Sequence, residues 1–351
     1  MPDKQCWDTP WPENELERVF SCPICGAQSR KLLYEQLVDN VFFVANGKWN
    51  LYQCRDCTCA YLDPRPDRNS IHKAYGTYYT HETVIKDQKP FEELSKLRKF
   101  RRMLVNGYCN YHHGTKRTPA IGLGAVLLLL YPHFRKAMKA QFRYLPKPQV
   151  GQTLLDVGCG NGDFLSLVAE VGWNVKGVDP DPKALTVARE NGLDVLEGGV
   201  EQFSDMKEVF DAITINHVIE HVHDPAELVS TAYRLLKPGG ILYIDTPNIE
   251  SLGVSIYGKN WRGLETPRHL VLFSNPSLRD FLRFHGFVNI KFYSRQEVRK
   301  NIALKSYRMK LGQSPYDGIP TKLPFFQWLK SIFPRTSKNE EFLTALVEKP
   351  K

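Results

Sequence analysis

The sequence has no apolar run long enough to span a membrane. Its longest candidate, Ile121 to Tyr131, stops at Pro132, well short of the ~20 residues a spanning helix needs. The N-terminus, Met1-Pro2-Asp3-Lys4-Gln5-Cys6-Trp7, has no apolar signal-peptide core, so a cytoplasmic rather than an exported protein is expected. In a reducing compartment the eight cysteines read as metal ligands or free thiols, not disulfides. Acids are the scarcer charge, and the resulting +9 suits anionic partners such as nucleotide sugars, phospholipid surfaces or nucleic acid. A basic solvated surface accounts for it equally well. The apolar content excludes a disordered chain, and 351 residues suffice for one large domain or two ordinary ones.

The cysteines are spaced in pairs. Ser21-Cys22-Pro23-Ile24-Cys25-Gly26 and Cys54-Arg55-Asp56-Cys57 each set two thiols on one tight turn, for which Pro23 and Gly26 are suitable residues. Together Cys22, Cys25, Cys54 and Cys57 make a tetrahedral zinc site, with strand-like residues between them, as in Val41-Phe42-Phe43-Val44 and Trp49 to Gln53. Cys59 is close enough to compete as a ligand, but Cys57 keeps the pair spacing. Four protein thiolates leave no open coordination position. The zinc is therefore expected to be structural and to hold a segment too small for a core of its own.

Residues 62 to 150 are less legible. Asp63-Pro64-Arg65-Pro66 reads as a linker, and Tyr75, Tyr78 and Tyr79 fall near His72 and His81. That cluster either lines a substrate site or packs in the ordinary way, and ordinary packing is the favoured reading. Phe91 to Leu104 has helical spacing with a basic face. With the Ile121 to Tyr131 run and Arg135, Lys136, Lys139 and Arg143 it forms an apolar ridge flanked by cations. Over 121–143 such a ridge either makes peripheral contact with a membrane or is buried as a helix cap over the next domain; the cap is the expectation.

From Gln152 onward strand and helix patterns alternate, as an α/β fold with a doubly wound, Rossmann-like parallel sheet requires. Strands are expected at Asn174–Val178, Leu193–Leu196, Phe210–Ile215, Ile241–Ile244, Val288–Tyr293 and Phe342–Val347. Helices are expected at Pro182–Asn191, Ala226–Leu236 and Ser277–His285, with a turn at Lys237–Gly240. In such a sheet ligands bind beyond the C-terminal ends of the strands.

The sharpest feature is Leu154-Leu155-Asp156-Val157-Gly158-Cys159-Gly160-Asn161-Gly162, a strand and a glycine turn that lead into a helix at Asp163. A dinucleotide site needs Gly-x-Gly-x-x-Gly for its pyrophosphate. Here the third glycine comes one residue early, Asp163 follows it, and Asp156 precedes the first glycine by two positions. Two carboxylates repel a pyrophosphate and suit a ligand with an ammonium or sulfonium group, such as S-adenosylmethionine. Asp179, at the end of the second strand, stands to accept both ribose hydroxyls, which either cofactor would offer.

Four ordered motifs now resemble the class I S-adenosylmethionine-dependent methyltransferases. They are 154–162, Gly-Val-Asp-Pro-Asp (177–181), Asn-His-Val-Ile-Glu-His-Val-His-Asp-Pro (216–225) and Leu-Leu-Lys-Pro-Gly-Gly (235–240), and the resemblance covers about residues 150 to 295. It implies that Asp156, Gly158, Cys159, Gly160 and Gly162 contact the methionine part of the cofactor and Asp179, followed by Pro180, the ribose. The backbone near Gly199 and Val200 would meet the adenine, and Asn216 and His217 complete the set. Many relatives carry an acid where this chain has Gly199, which leaves no side-chain contact to adenine at that position.

A narrower resemblance rests on Thr246-Pro247-Asn248, Trp261-Arg262-Gly263-Leu264, Pro267-Arg268-His269-Leu270, Phe273-Ser274 and the cysteine pairs. These residues are similar to zinc-ribbon-bearing methyltransferases of bacterial surface-glycan and modified-sugar pathways, and more distantly to quinone-precursor O-methyltransferases. The resemblance implies a zinc-ribbon module at 1–62, a helical linker or cap at 63–149, and a methyltransferase domain at 150–351 with a substrate-side insertion at about 246–275. It implies methyl transfer to a small-molecule or glycan-linked acceptor in cell-surface polysaccharide or modified-sugar biosynthesis. The alternatives are a quinone-precursor O-methyltransferase and a non-catalytic docking protein with a vestigial cofactor fold.

Transfer to a hydroxyl or carbon acid needs a base. His217, Glu220 and His221 follow the fourth strand, and on one helical turn 217 and 221 would share a face. His221 with Glu220 is the first candidate base and His269 the second. The alternative is that His217 caps the adenine pocket while Glu220 and His221 make structural hydrogen bonds across the turn. The quinone-type relatives imply a third use, an acid-x-x-Glu-His metal set, in which His217 takes the first position and suits Zn2+ or Mn2+ but not Mg2+. Arg262, Arg268 and the nearby Trp261 are placed to grip an anionic acceptor. A nucleic-acid partner is not expected, because the chain has neither an Asn/Asp-Pro-Pro-aromatic tetrad nor a dense basic helix.

Overall fold

A computed structural model describes residues 5–76, 90–316, 321–332 and 339–351. Tyr78, Tyr79 and His81 of the tyrosine and histidine cluster lie outside the described residues. By contacts the chain divides into two units. The first is Met1–Tyr78 with Ile215–Arg234 and Ile244–Lys351; the second is Tyr79–Thr214 with Leu235–Tyr243.

The α/β framework is a mixed, mostly parallel sheet of seven strands. In chain order they are β1 (Thr153–Val157), β2 (Asn174–Asp179), β3 (Val195–Glu197), β4 (Phe210–Asn216), β5 (Leu236–Pro247), β6 (Val288–Tyr293) and β7 (Phe342–Glu348). The order across the sheet is β6-β7-β5-β4-β1-β2-β3. β1 and β2 pair in parallel, from Thr153 opposite Asn174 to Val157 opposite Val178, while β6 and β7 are antiparallel. After Thr153 every residue of β1 is buried, the near-continuous apolar run expected of a parallel strand covered on both faces. The expected Lys237–Gly240 turn is absorbed into β5, which begins at Leu236.

In the second unit, Leu154, Leu165, Val168, Trp173, Leu185 and Val195 are buried together, and Phe142 joins them from the preceding helix Pro132–Gln141. Helix Pro182–Glu190 starts where the Asp181 side chain accepts from the Lys183 N–H, with Pro182 in its first turn. The basic helix is Lys96–His112, displaced from the expected Phe91–Leu104. The expectation that the 121–131 ridge is buried is overturned. Gly124 and Ala125 face inward, whereas Leu123, Val126, Leu129, Leu130 and Tyr131 are exposed. No helix among the described residues is long and apolar enough to cross a membrane.

In the first unit, strands Arg30–Leu37, Trp49–Cys54 and Ala60–Leu62 form an antiparallel sheet that is extended by Val271–Leu272, with Val271 opposite Tyr61. The cysteine segment thus completes its sheet with residues that directly follow His269 and Leu270. Val41 to Val44 do not form the expected strand. Buried Asp39 accepts the backbone N–H groups of Phe42, Val44 and Ala45 at 3.0–3.1 Å, and these bonds hold the segment as a loop around the carboxylate. Helix Asn275–Phe284 is capped by Ser274, which accepts from Ser277 N–H. Helix Gln296–Lys310 was not legible, because its apolar residues do not gather on one face.

Candidate active site

In the second unit the glycine turn follows β1. Gly158, Gly160 and Gly162 have φ of +73°, +53° and +82°, in the left-handed region where a side chain is strained. The N–H groups of Gly158 and Cys159 both donate to the Val178 carbonyl, at 2.8 and 3.0 Å. Gly160 N–H donates to one Asp179 oxygen at 2.8 Å and Asp181 N–H to the other at 2.9 Å. Burial raises the Asp179 pKa, and these two backbone bonds oppose it. Each carboxylate oxygen retains capacity for one more donor, which fits a ribose diol. A Cβ built on Gly160 would meet nothing within 4 Å, so the turn is open at that point. Pro180 beside Asp179 is exposed, and Cys159 is buried. These residues fit the adenosine-bearing cofactor that the motifs imply.

Asp156 is wholly buried on β1. Its carboxylate binds the Arg143 guanidinium and the Thr214 hydroxyl, while its second oxygen, Oδ2, has no partner. Burial raises its pKa and Arg143 counters. Arg143, a ridge cation by sequence, instead has a left-handed backbone (φ +49°) and lies over the Phe164 ring at 3.5 Å. The charge of Asp156 is therefore largely balanced within the protein, and Asp163, at the first position of its helix, is the acid left to disfavour a pyrophosphate. Val200 opens the short helix Val200–Phe203 and is buried. The acid missing at position 199 is partly answered by Glu201, whose carboxylate turns back to accept Gly199 N–H at 2.5 Å.

In the first unit the histidines gather. His217 follows Asn216, the last residue of β4, with φ +56°, and no helix forms over 217–221. The expectation that 217 and 221 share a helical face is therefore overturned, because left-handed backbone at His217 breaks the turn. Glu220 is fully buried beneath His217: its Oε1 lies 3.1 Å from His217 Nδ1, and its Oε2 accepts from Thr246 Oγ1 at 2.9 Å. His217 Nε2 is 3.6 Å from Asp245, which also accepts from Arg295 at 2.8 Å and Thr344 at 2.5 Å. Burial alone would push the Glu220 carboxyl up, but His217, with His221 and His269 near, holds it at about 2. Its crowded position opposes charge on His217, yet the Glu220 and Asp245 carboxylates outweigh this and raise the pKa.

His221 Nδ1 faces the Arg268 carbonyl at 3.1 Å and the Tyr75 hydroxyl at 2.9 Å. A carbonyl only accepts, so Nδ1–H points at it and Nε2 carries the lone pair. Burial lowers the His221 pKa, which keeps the ring neutral at neutral pH. His269 packs edge-on against His221 with ring centroids 4.6 Å apart, donates from Nδ1 to the Gly263 carbonyl at 2.8 Å, and is pushed down to about 4 by burial. Glu220, His221 and His269 offer ligand atoms within 4.8 Å of one another. The set the structure assembles contains His269 in place of His217, and both Glu220 oxygens already have partners.

Arg268 and Trp261 do not face an acceptor. Arg268 is fully buried and donates to Asp39 at 2.5 and 3.1 Å, to Glu265 at 3.2 Å and to the Ala74 carbonyl at 2.8 Å. Trp261 is buried, with Nε1 donating to Glu341 at 2.8 Å. Arg262 pairs with Glu265 and the Tyr316 hydroxyl. The Asp39–Arg268 pair ties the loop of the cysteine segment to the residue that precedes His269. Tyr75 stands in the sequence only as one member of an aromatic cluster, Arg143 only as one of the cations flanking the ridge, and Asp39 carries no role. Nothing local marked them, because their partners lie far away in the chain.

The cysteines also gather in the first unit. Cys22, Cys25, Cys54 and Cys57 place their sulfurs within 4.8 Å of one another. The Cys22–Cys57 and Cys25–Cys54 separations, 3.5 and 3.6 Å, are close to the edge of about 3.8 Å that a tetrahedron with ~2.3 Å zinc–sulfur bonds requires. The Ile24 N–H points at Cys22 Sγ, 3.4 Å away. Buried Cys59 stands 3.3 Å from Cys22 and 3.4 Å from Cys57, a fifth sulfur beside the four.

A sequence profile of methyltransferase domains matches residues 131–291. These residues form an S-adenosylmethionine-dependent methyltransferase domain. The chain is 32% identical over 162 residues to the ubiquinone biosynthesis O-methyltransferase of Methylocella silvestris, covering 40% of this chain and 63% of that protein. It is 40% identical over 108 residues to the enzyme of the same description from Pseudomonas paraeruginosa, covering 28% of this chain and 45% of that protein. Among solved structures, a methyltransferase from Thermotoga maritima, described as a possible histamine N-methyltransferase, aligns with a TM-score of 0.42 at 23% identity, over 64% of this chain and 96% of that one. The phosphoethanolamine N-methyltransferase 2 of Haemonchus contortus aligns with a TM-score of 0.42 at 17% identity, over 83% and 63%.

Proposed function

We propose that this protein transfers a methyl group from S-adenosylmethionine to a small-molecule or glycan-linked acceptor, with His221 as the general base. The observation that carries the reading is the intact glycine turn with Asp179, whose two oxygens each keep room for a ribose hydroxyl; within the first unit, His221 offers a neutral, oriented imidazole. When bound, the cofactor supplies an electrophilic methyl group on a sulfonium. Asp179 accepts the ribose hydroxyls, and the Gly158–Gly162 turn leaves the space for the rest of the ligand. Asp156, neutralised by Arg143, fixes the end of β1 and keeps one unpartnered oxygen beside the turn. On the acceptor side, His221 Nε2 takes the proton of a hydroxyl or carbon acid. The Arg268 carbonyl fixes the tautomer and Tyr75 the ring orientation. Buried Glu220 stabilises positive charge that arrives on the histidine pair.

The cysteine segment is proposed to hold one structural zinc through Cys22, Cys25, Cys54 and Cys57. A closed thiolate site has no catalytic position. Its role is to fix the sheet that Val271–Leu272 joins and, through Asp39 and Arg268, the segment that carries His269. An acceptor of the surface-glycan or modified-sugar class rests on the resemblance of the sequence motifs alone. The quinone-precursor alternative is supported by the named relatives, which match only part of their own length.

Titration calorimetry tests the donor half. Wild-type protein is expected to bind S-adenosylmethionine, and Asp179→Ala to bind it on the order of 10–100-fold more weakly, as the loss of hydrogen bonds to a charged acceptor implies. No binding by folded wild-type protein would sink the proposal.

A further inference from the structure

Between Glu93 and Asp156 the sequence carries twelve Lys and Arg and not one Asp or Glu, although the whole chain nets only +9. The rest of the chain is slightly acidic, so the basic balance belongs to this stretch. Among the described residues only Arg117 and Arg143 of the twelve form a salt bridge, with Glu170 and Asp156.

The same stretch turns apolar side chains outward. A Cβ on Gly107 would come within 1.9 Å of the Ile121 carbonyl oxygen, and one on Gly124 within 1.9 Å of the Leu104 oxygen. Helix Lys96–His112 and segment 121–127 therefore touch backbone to backbone, with no room between them for a leucine. The side chains of the 121–131 run have to lie elsewhere: Leu130 is 76% exposed and Val126 63%. On the helix, Phe100 and Leu97 stand one and two turns before Leu104, on the face that meets Gly124, and they are exposed by 50% and 78%. Lys96 and Arg101 flank that face within about a quarter turn. Helix Pro132–Gln141 then leads into Phe142, buried in the core beneath the glycine turn, so the surface is anchored to the cofactor-binding unit.

We infer that this surface docks on an anionic phospholipid bilayer. Exposed Leu and Val enter the acyl boundary while the surrounding cations meet lipid phosphates, the combination that peripheral membrane binding uses. A nucleic acid would use the cations but not the leucines, whereas a bilayer uses both. The length of the apolar run limits it to lying in the interface.

Flotation of the full-length protein with vesicles tests this. The protein is expected to float with vesicles of phosphatidylcholine and phosphatidylglycerol, not with phosphatidylcholine alone, and to be released by salt. Val126→Ser/Leu130→Ser and, separately, Lys136→Glu/Lys139→Glu should each lower partitioning on the order of tenfold or more. All four residues are exposed, so thermal melting and S-adenosylmethionine binding should stay as in the wild type. Failure to float with the anionic vesicles would overturn the inference. So would flotation unchanged by the Val126/Leu130 pair, or tighter binding to duplex RNA than to the vesicles.

Discussion

His269 and Glu220 depart from their ordinary titration ranges in ways that make acid destabilising. His269 is held at about 4, below the ~6.5 of an unfolded histidine. As pH falls, the unfolded chain takes up that proton first, so stability is fully present above about pH 6.5 and is lost towards pH 4. Glu220, held at about 2 against ~4.3 unfolded, contributes stability that is present above about pH 4.3 and lost below it. The two windows adjoin. Because the raised pKa of His217 acts in the opposite sense, the test is a difference: between about pH 6.5 and pH 4 the melting temperature of the wild type is expected to lose more than that of His269→Asn. An equal change in the two proteins over that range would contradict the lowered pKa of His269. The same lowering at His221 leaves its ring neutral near pH 7, the state a base needs.

At the scale of elements, the zinc proposal makes a test that separates neighbouring cysteines. The purified chain is expected to hold one zinc, and Cys57→Ser should lose it because the Cys-x-x-Cys turn supplies both ligands at once. Cys59→Ser should retain it, and the reverse result in metal analysis would move the fourth ligand to Cys59. These pairs were legible from spacing alone, as were β1, β2, β4, β6 and β7 and the glycine turn, since each is written in a few consecutive residues. Helix Gln296–Lys310 was not, because no apolar stripe marks it. The loop over 38–45 looked like a strand by composition, and only the inward carboxylate of Asp39 shows why it is not one. The turn at 217–221 failed as a helix for a similar reason: left-handed backbone at His217 leaves no periodicity signal.

For the molecule as a whole, sequence and structure agree on the α/β sheet and the methyltransferase domain and differ in what surrounds them. Sequence blocks run consecutively, whereas each compact unit is built from separated stretches of chain. The candidate base and the residues that orient it come from three such stretches: Tyr75 lies 146 positions from His221, Arg268 lies 47 from it, and Asp39, in the same stretch as Tyr75, lies 229 from Arg268. Such pairings have no local signature, so His221 was legible as a candidate and its setting was not. The acceptor is the part of the function that chain pattern leaves to experiment. The most direct measurement is transfer of a labelled methyl group from S-adenosylmethionine to acceptors in a cell extract. The account predicts a labelled product from the wild type and a rate roughly 10²–10⁴-fold lower from His221→Ala, with S-adenosylmethionine binding retained. A labelled product formed equally fast by His221→Ala, or no labelled product from a wild-type protein that binds the cofactor, would contradict it.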